Sequence, residues 1–265
     1  MTRKKPYAVW TKRHAAFVLL ALFLAAVLIV IAAAALPYAY ANATAAAQRR
    51  LPIYCTDRPG KVVSLTFDAA WGDEDTQQLI EILGKYKVRA TFFVVGEWVD
   101  RCGDSVKALF DAGHEIMNHS DSHPNMPKLS RERMLEEINR CNDKIQAITG
   151  VRPTLHRAPY GDYSNALLET ADTLGMHVIQ WDVDSLDWKD PPVADIVSRV
   201  TKQVNSGSIV LFHNAAKNTP EALPTVIETL IQKGYSFVPI SELILRDGFD
   251  IDHTGRQIHT GTAAQ

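Results

Sequence analysis

The sequence predicts an α/β fold of repeated βαβ units, a parallel sheet or barrel, standing behind one N-terminal apolar span. Three observations carry this prediction. Runs rich in β-branched and aromatic residues alternate with amphipathic helical stretches at roughly 30-residue intervals. The run 15–36 has no charged residue and is almost wholly Ala, Leu, Val, Ile and Phe. Five strand-like runs lead into polar residues, near Asp68, His119 and His123, Arg157, Asp187, and His213. In α/β folds that edge is where chemistry is placed.

The 265 residues are 46% hydrophobic and 22% charged, which suits one globular domain of ~200 residues plus extras. The net charge of −2 gives no support for a nucleic-acid partner. No protein partner is indicated. Cys55, Cys102 and Cys141 match no zinc spacing and are too few for a disulfide framework. One pair with a free thiol and three free thiols both stay open.

The segment 1–14 carries Arg3, Lys4, Lys5, Lys12 and Arg13. Roughly 20 apolar residues suffice to cross a bilayer, so 15–36 reads as a transmembrane anchor. The basic flank places the N-terminus in the cytoplasm and the rest outside. A cleaved signal peptide is the competing reading, with small residues at cleavage spacing in Ala39-Tyr40-Ala41 and Ala41-Asn42-Ala43. Signal-peptide apolar regions run about 7–15 residues, shorter than this one, which favours the uncleaved anchor. If cleavage occurs, the protein is secreted. Residues 37–60, with Pro37, Pro52, Pro59 and Gly60, read as a linker.

The domain 61–245 follows. Residues 62–67 form a buried strand ending at Asp68, and a loop with Asp73, Glu74 and Asp75 leads to a helix over 76–86. These acids also suit turn and helix-cap roles. A strand over 89–95 and a helix over 99–112, stopped by Gly113, come next. A strand at 114–117 runs into His119 and His123, which share one side of a helical turn, and imidazole is the commonest ligand of zinc-like ions. Two surface histidines in a polar loop would look the same. Ser130 caps an amphipathic helix to Thr149 with Met134, Leu135, Ile138, Ile145 and Ile148 inward. Arg157 sits in a tight loop with Pro159 and Gly161, where it pairs with a buried carboxylate or is solvated. Helices over 165–174, 193–205, 225–233 and 241–245 alternate with strands over 177–181, 208–212 and 236–240. The tail 246–265 lacks apolar periodicity and reads as disordered.

Thr66-Phe67-Asp68, His119-Ser120-x-x-His123, Arg157-x-Pro159-Tyr160-Gly161, Asp187-Trp188 and Leu211-x-His213 occur in the order of five family motifs. Over about residues 60–245 the chain resembles the NodB-homology polysaccharide deacetylases, carbohydrate esterase family four. The resemblance implies a distorted (β/α) barrel of seven strands and hydrolysis of acetyl groups from glycans with a divalent metal, zinc or cobalt. It implies Asp68 as general base towards a water held by the metal, and His119 and His123 as metal ligands. Arg157 would set the Asp68 pKa, and the Tyr160 backbone N–H would stabilise the oxyanion. His213 would be the general acid, oriented by Asp187, while Trp188 and Leu211 would wall the acetyl pocket.

One departure matters. Where the family has a second, metal-binding aspartate, this chain has Ala69. Asp68 then binds the metal itself, Asp73 or Asp75 folds back into the position, or the metal is weak or lost. The expectation is a working, membrane-anchored deacetylase of an extracytoplasmic glycan, peptidoglycan first, with chitin oligomers and acetylxylan open. The alternative is an inactive, anchored glycan-binding protein on the same fold.

Overall fold

The computed structural model describes residues 12–47 and 49–260. Most of the basic segment and the last five residues lie outside it. Helix α1 (Lys12–Ala47) holds an 18-residue window, Phe17–Ala34, with mean hydropathy 3.2, long and apolar enough to cross a membrane. Its side chains over that window are exposed, and none is charged, so it has no polar face. The helix runs beyond the expected span 15–36, because the Ala-rich stretch after Tyr40 keeps high helix propensity.

The second unit starts at Arg50, not at residue 61. It runs β1 (Cys55–Thr56), β2 (Val62–Ala69), α2 (Thr76–Lys85), β3 (Thr91–Val94), α3 (Gly96–Arg101), α4 (Gly103–Asp111) and β4 (Glu115–Asn118). Then come α5 (Arg131–Thr149), β5 (Leu155–His156), α6 (Asn165–Thr173), β6 (His177–Val178), β7 (Val183–Asp184), α7 (Val193–Gln203) and β8 (Ser208–His213). The chain closes with α8 (Thr219–Gln232), β9 (Ser236–Phe237), α9 (Ile240–Leu243), β10 (Phe249–Ile251) and β11 (Arg256–His259).

Strands β7-β8-β2-β3-β4-β5-β6 lie side by side, all parallel, and β9 pairs parallel with the start of β2. The expected parallel α/β architecture is thus present as a curled sheet, which with the β1 segment and the C-terminal hairpin holds eleven strands. Between its two ends runs the β1 segment. Ile53 bridges Ile179 just beyond β6, and Cys55 pairs antiparallel with Ser208 at the start of β8. Residues 50–60 are therefore part of the fold and not a linker.

The pleat divides each strand's side chains between two faces. Val63, Leu65, Phe67 and Ala69 on β2, with Phe92, Val94 and Val210, pack under the helices. Phe93, Met117, Leu155 and Ile209 project from the other face into a second cluster. On β2 that inner face carries Thr66 and Asp68.

Three further expectations are corrected. The helix expected over 99–112 is broken at Cys102 (φ −122°, ψ 37°). The helix expected from 225 begins at Thr219, since Pro220 sits in its first turn, where a missing N–H costs nothing. The tail is ordered through its described part. Strands β10 and β11 pair antiparallel, and β11 adds parallel to β1. Gln257, fully buried, exchanges bonds with the Leu245 N–H and C=O (2.8 and 2.9 Å), fixing the hairpin through a polar contact that apolar periodicity does not reveal.

Candidate active site

Asp68 ends the inner row of β2, in register with His213 on β8 and Phe93 on β3. It is 6% exposed. The Arg157 guanidinium donates to its Oδ1 at 2.7 Å, and also to Thr66 Oγ1 (2.9 Å) and the Gln180 carbonyl (3.1 Å). Arg157 is itself fully buried, stacked 4.1 Å over the Phe93 ring. Burial opposes ionisation of Asp68, but the Arg157 guanidinium outweighs it and, with lesser help from the imidazoles when they are protonated, holds the carboxyl below its usual range.

His119 follows β4. Its Nδ1 lies 2.8 Å from the Arg157 carbonyl, which can only accept, so Nδ1 carries the proton and Nε2 a lone pair. That Nε2 stands 3.5 Å from Asp68 Oδ2. Burial lowers the His119 pKa despite Asp68, and lowers that of His123 to about 4, so both rings are neutral at pH 7. The two rings meet edge to face at 5.0 Å.

The loop between them is tightly specified. Ser120 and His123 have φ of 67° and 58°. Asn118 Oδ1 accepts from Ser120 N, and Ser120 Oγ accepts from His123 N. Glu137 of α5, 4% exposed, accepts from Asp121 N (3.1 Å), Ser122 N (2.9 Å) and Ser122 Oγ (2.8 Å). Gly96 lies so close to Asp121 that a Cβ there would meet Oδ1 at 2.1 Å.

Across the cavity His213 points Nδ1 at Asp187 Oδ1 (2.7 Å). Fully buried Asp187 also accepts from the backbone N–H of Trp188 and His213 and from Thr219 Oγ1. Burial pushes His213 down, but the bond to Asp187 and the carboxylates of Asp187 and Asp68 raise its pKa above the ordinary value. One cavity of about 470 Å³ takes in Asp68, His119, His123, Tyr160, Trp188, Leu211 and His213. Arg157 and Asp187 stand behind Asp68 and His213. The nine residues singled out in the sequence are thus brought together.

The loop acids are not. Asp73 accepts from Ser105 Oγ (2.7 Å) and Asp75 from Ala215 N (2.9 Å), and neither lines the cavity. Burial raises Asp75 to about 6. Ala69, fully buried, belongs to the helix-side cluster, on the opposite face of β2 from Asp68.

A cation fits the gap between His119 and Asp68. Two acceptors face each other there, and atoms each ~2.1 Å from a tetrahedral ion stand roughly 3.4 Å apart. The donor set is nonetheless small. Among the described residues no three His, Cys, Asp or Glu side chains gather closely enough to hold a metal. His123 is the adjacent candidate for the third place.

Sequence reasoning did not single out Trp71, which is 56% exposed at the cavity mouth with its ring 5.8 Å from that of His213. Nor did it find Glu137. The available signal was a carboxylate on the same face as Met134, Ile138 and Cys141 in an amphipathic helix.

Residues 56–179 match the polysaccharide deacetylase family. A Bacillus cereus peptidoglycan-N-acetylglucosamine deacetylase is 35% identical over 189 residues, covering 69% of this chain and 88% of the relative. The chain belongs to the polysaccharide deacetylase family. The Bacillus subtilis peptidoglycan-N-acetylmuramic acid deacetylase PdaC is 39% identical over 183 residues, 69% of this chain. The alignment spans only 38% of PdaC's length. Among solved structures, BA3943 from Bacillus anthracis, described as a pseudoenzyme of carbohydrate esterase family 4, superposes with TM-score 0.71 at 35% identity, covering 78% of this chain and 70% of that one. A BA3943 mutant is described as having restored enzymatic activity. The family is generally metal-dependent.

Proposed function

We propose that this chain removes acetyl groups, N-acetyl groups of amino sugars first, from a glycan outside the cytoplasmic membrane, with peptidoglycan the leading substrate. The observation that carries the reading is the pair of buried proton-handling couples, Asp68–Arg157 and His213–Asp187, facing one cavity beside two neutral histidines. Relatives named as peptidoglycan deacetylases support the substrate class. The apolar helix α1 supports a membrane anchor with the catalytic domain outside.

His119 and His123 would hold a divalent ion, zinc or cobalt, with Asp68 Oδ2 direct or through water. Such an ion supplies a water acidic enough to attack near neutral pH, its pKa falling from ~16 towards ~7. Asp68, kept ionised by Arg157, accepts the proton of the attacking water. The water oxygen bonds to the acetyl carbonyl carbon, and the Tyr160 backbone N–H donates to the oxyanion, worth about 3–4 kcal/mol. The C–N bond then breaks as His213 gives its Nε2 proton to the leaving nitrogen. Asp187 holds the ring in the tautomer and charge state this needs. Acetate and a free amine leave. Leu211 and Trp188 wall the acetyl methyl.

A second reading has its own support. Ala69 removes a family ligand, and a 35%-identical neighbour is described as a pseudoenzyme. It makes the chain an anchored glycan-binding protein. Two variants separate the readings. We expect His119→Ala to lose bound zinc and acetate release together, and His213→Ala to keep zinc while slowing release by ~10²–10⁴-fold. Full rate in His213→Ala would remove the acid assignment.

A further inference from the structure

His156 is fully buried and does not line the cavity. It stands on β5 in register with Asn118 on β4, the residue before His119. Its Nδ1 lies 2.8 Å from Asn118 Oδ1, while its buried Nε2 has no partner. Leaving a buried ring nitrogen unbonded is unfavourable. An apolar ring would fill the same space without that cost, so packing alone does not account for a histidine here.

The surroundings fix the proton on this ring. Asn118 Nδ2 faces the Ile138 carbonyl (2.8 Å), which can only accept. Asn118 Oδ1 faces the Ser120 N–H (2.8 Å), which can only donate. The amide therefore has one orientation. Its second Nδ2 hydrogen goes to Asn142 Oδ1 (2.8 Å). An amide oxygen never donates, so His156 carries its proton on Nδ1 and gives it to Asn118. Every donor and acceptor site of the Asn118 amide is then used.

The two site histidines depend on this amide. Ser120, held through its N–H by Asn118, is left-handed (φ 67°), a backbone state that persists only where its surroundings enforce it. Ser120 Oγ in turn accepts from His123 N (3.1 Å). On the other side, Arg157 N donates to the Asn118 carbonyl (2.9 Å), and the Arg157 carbonyl accepts from His119 Nδ1 (2.8 Å). Those two bonds use the Arg157 backbone. The bond from His156 to Asn118 uses a side chain of β5, so a substitution can delete it.

We propose that His156 is a positioning residue for the His119–His123 pair. Its Nδ1–H steadies the Asn118 amide, which pins the Ser120 turn that sets the spacing of the two imidazoles. This role rests on the reading above that the pair binds a divalent ion. The test uses the full chain in detergent micelles, stripped of metal. Thermal melting, hydrogen exchange of the Ser120 amide and calorimetric zinc titration are run on the same samples. His156→Phe fills the space but offers no donor. It should melt no lower than the parent and exchange Ser120 faster. It should also bind zinc about tenfold more weakly, as happens when the outer partners of metal ligands are removed. His156→Asn carries an amide N–H near the place of Nδ1 but leaves a cavity. It should melt lower yet bind zinc nearly as tightly as the parent. If His156→Phe does not fold, His156→Met, apolar and adaptable, takes its place. Zinc affinity that follows melting temperature across the variants would overturn the inference. So would His119-dependent zinc binding indifferent to His156→Phe, with the metal reading left standing. Zinc bound equally by the parent and by His119→Ala would overturn both together.

Discussion

Ala69 is the residue on which the account turns. It lies on the helix-side face of β2 among Phe67, Leu79 and Val94, where its methyl group is well placed. A carboxylate there in the metal-free chain sits in an apolar cluster, and an uncompensated buried charge costs about 3–5 kcal/mol. A bound cation would draw that carboxylate out of the core. Ala69→Asp should therefore melt at lower temperature than the parent without metal and recover when zinc is added, with tighter zinc binding by calorimetry. Undiminished stability without metal, or no response to zinc, would contradict the placement of residue 69. Asp68, His119, His123, Arg157, Asp187 and His213 were legible one by one as polar groups close behind apolar strands, whereas Tyr160, Trp188 and Leu211 stood out only through the family motifs. Trp71 and Glu137 were not, because a sequence does not tell which indole faces solvent or which helical carboxylate turns inward.

The element that sets the histidine geometry is the loop from Asn118 to His123, with α5 behind it. Three donors of that loop converge on Glu137, and charge-assisted bonds of this kind are the strong ones. Glu137→Gln replaces one acceptor oxygen by a donor, leaving loop N–H or O–H groups without a partner. We expect a loss on the order of 1–3 kcal/mol in stability. Zinc affinity should drop with it as the two histidines lose their spacing, whereas Glu137→Asp should restore part of both. Melting and zinc titration on the same samples check this, and loss of stability with unchanged zinc affinity would reduce Glu137 to a packing role. The long strand β2 and the capped helix α5 were readable because pattern and capping agree. The two-residue strands β5 and β6 were readable only approximately and β7 read as loop, since so short a run has no period. Their pairing is set by neighbours distant in sequence.

For the whole molecule, the parallel α/β plan followed from the alternation of elements, while the β1 segment and the C-terminal hairpin did not. Both are held by long-range backbone pairing and by Gln257, which carry no local signature. Buried histidines give the fold a pH dependence of definite sign. Burial lowers His114 to about 4 and His156 to about 3, from an ordinary 6.5. Groups with depressed folded values contribute stability above pH 6.5 and lose it as the pH falls towards those values, on the order of 3 kcal/mol for His114. His213 runs the other way: its stabilisation is present below 6.5 and fades as the pH rises through its raised value. Thermal melts should thus show a marked loss between pH 6.5 and 4, and a flat profile would contradict the neutral burial of these rings. Acetate release tests the chemistry of the cavity most directly. Incubating the full chain with N-acetylated peptidoglycan strands and zinc or cobalt should release acetate and leave free amines, and chelation should stop it. No acetate from any acetylated glycan, with metal content near zero after loading, would contradict the catalytic account and favour a glycan-binding one.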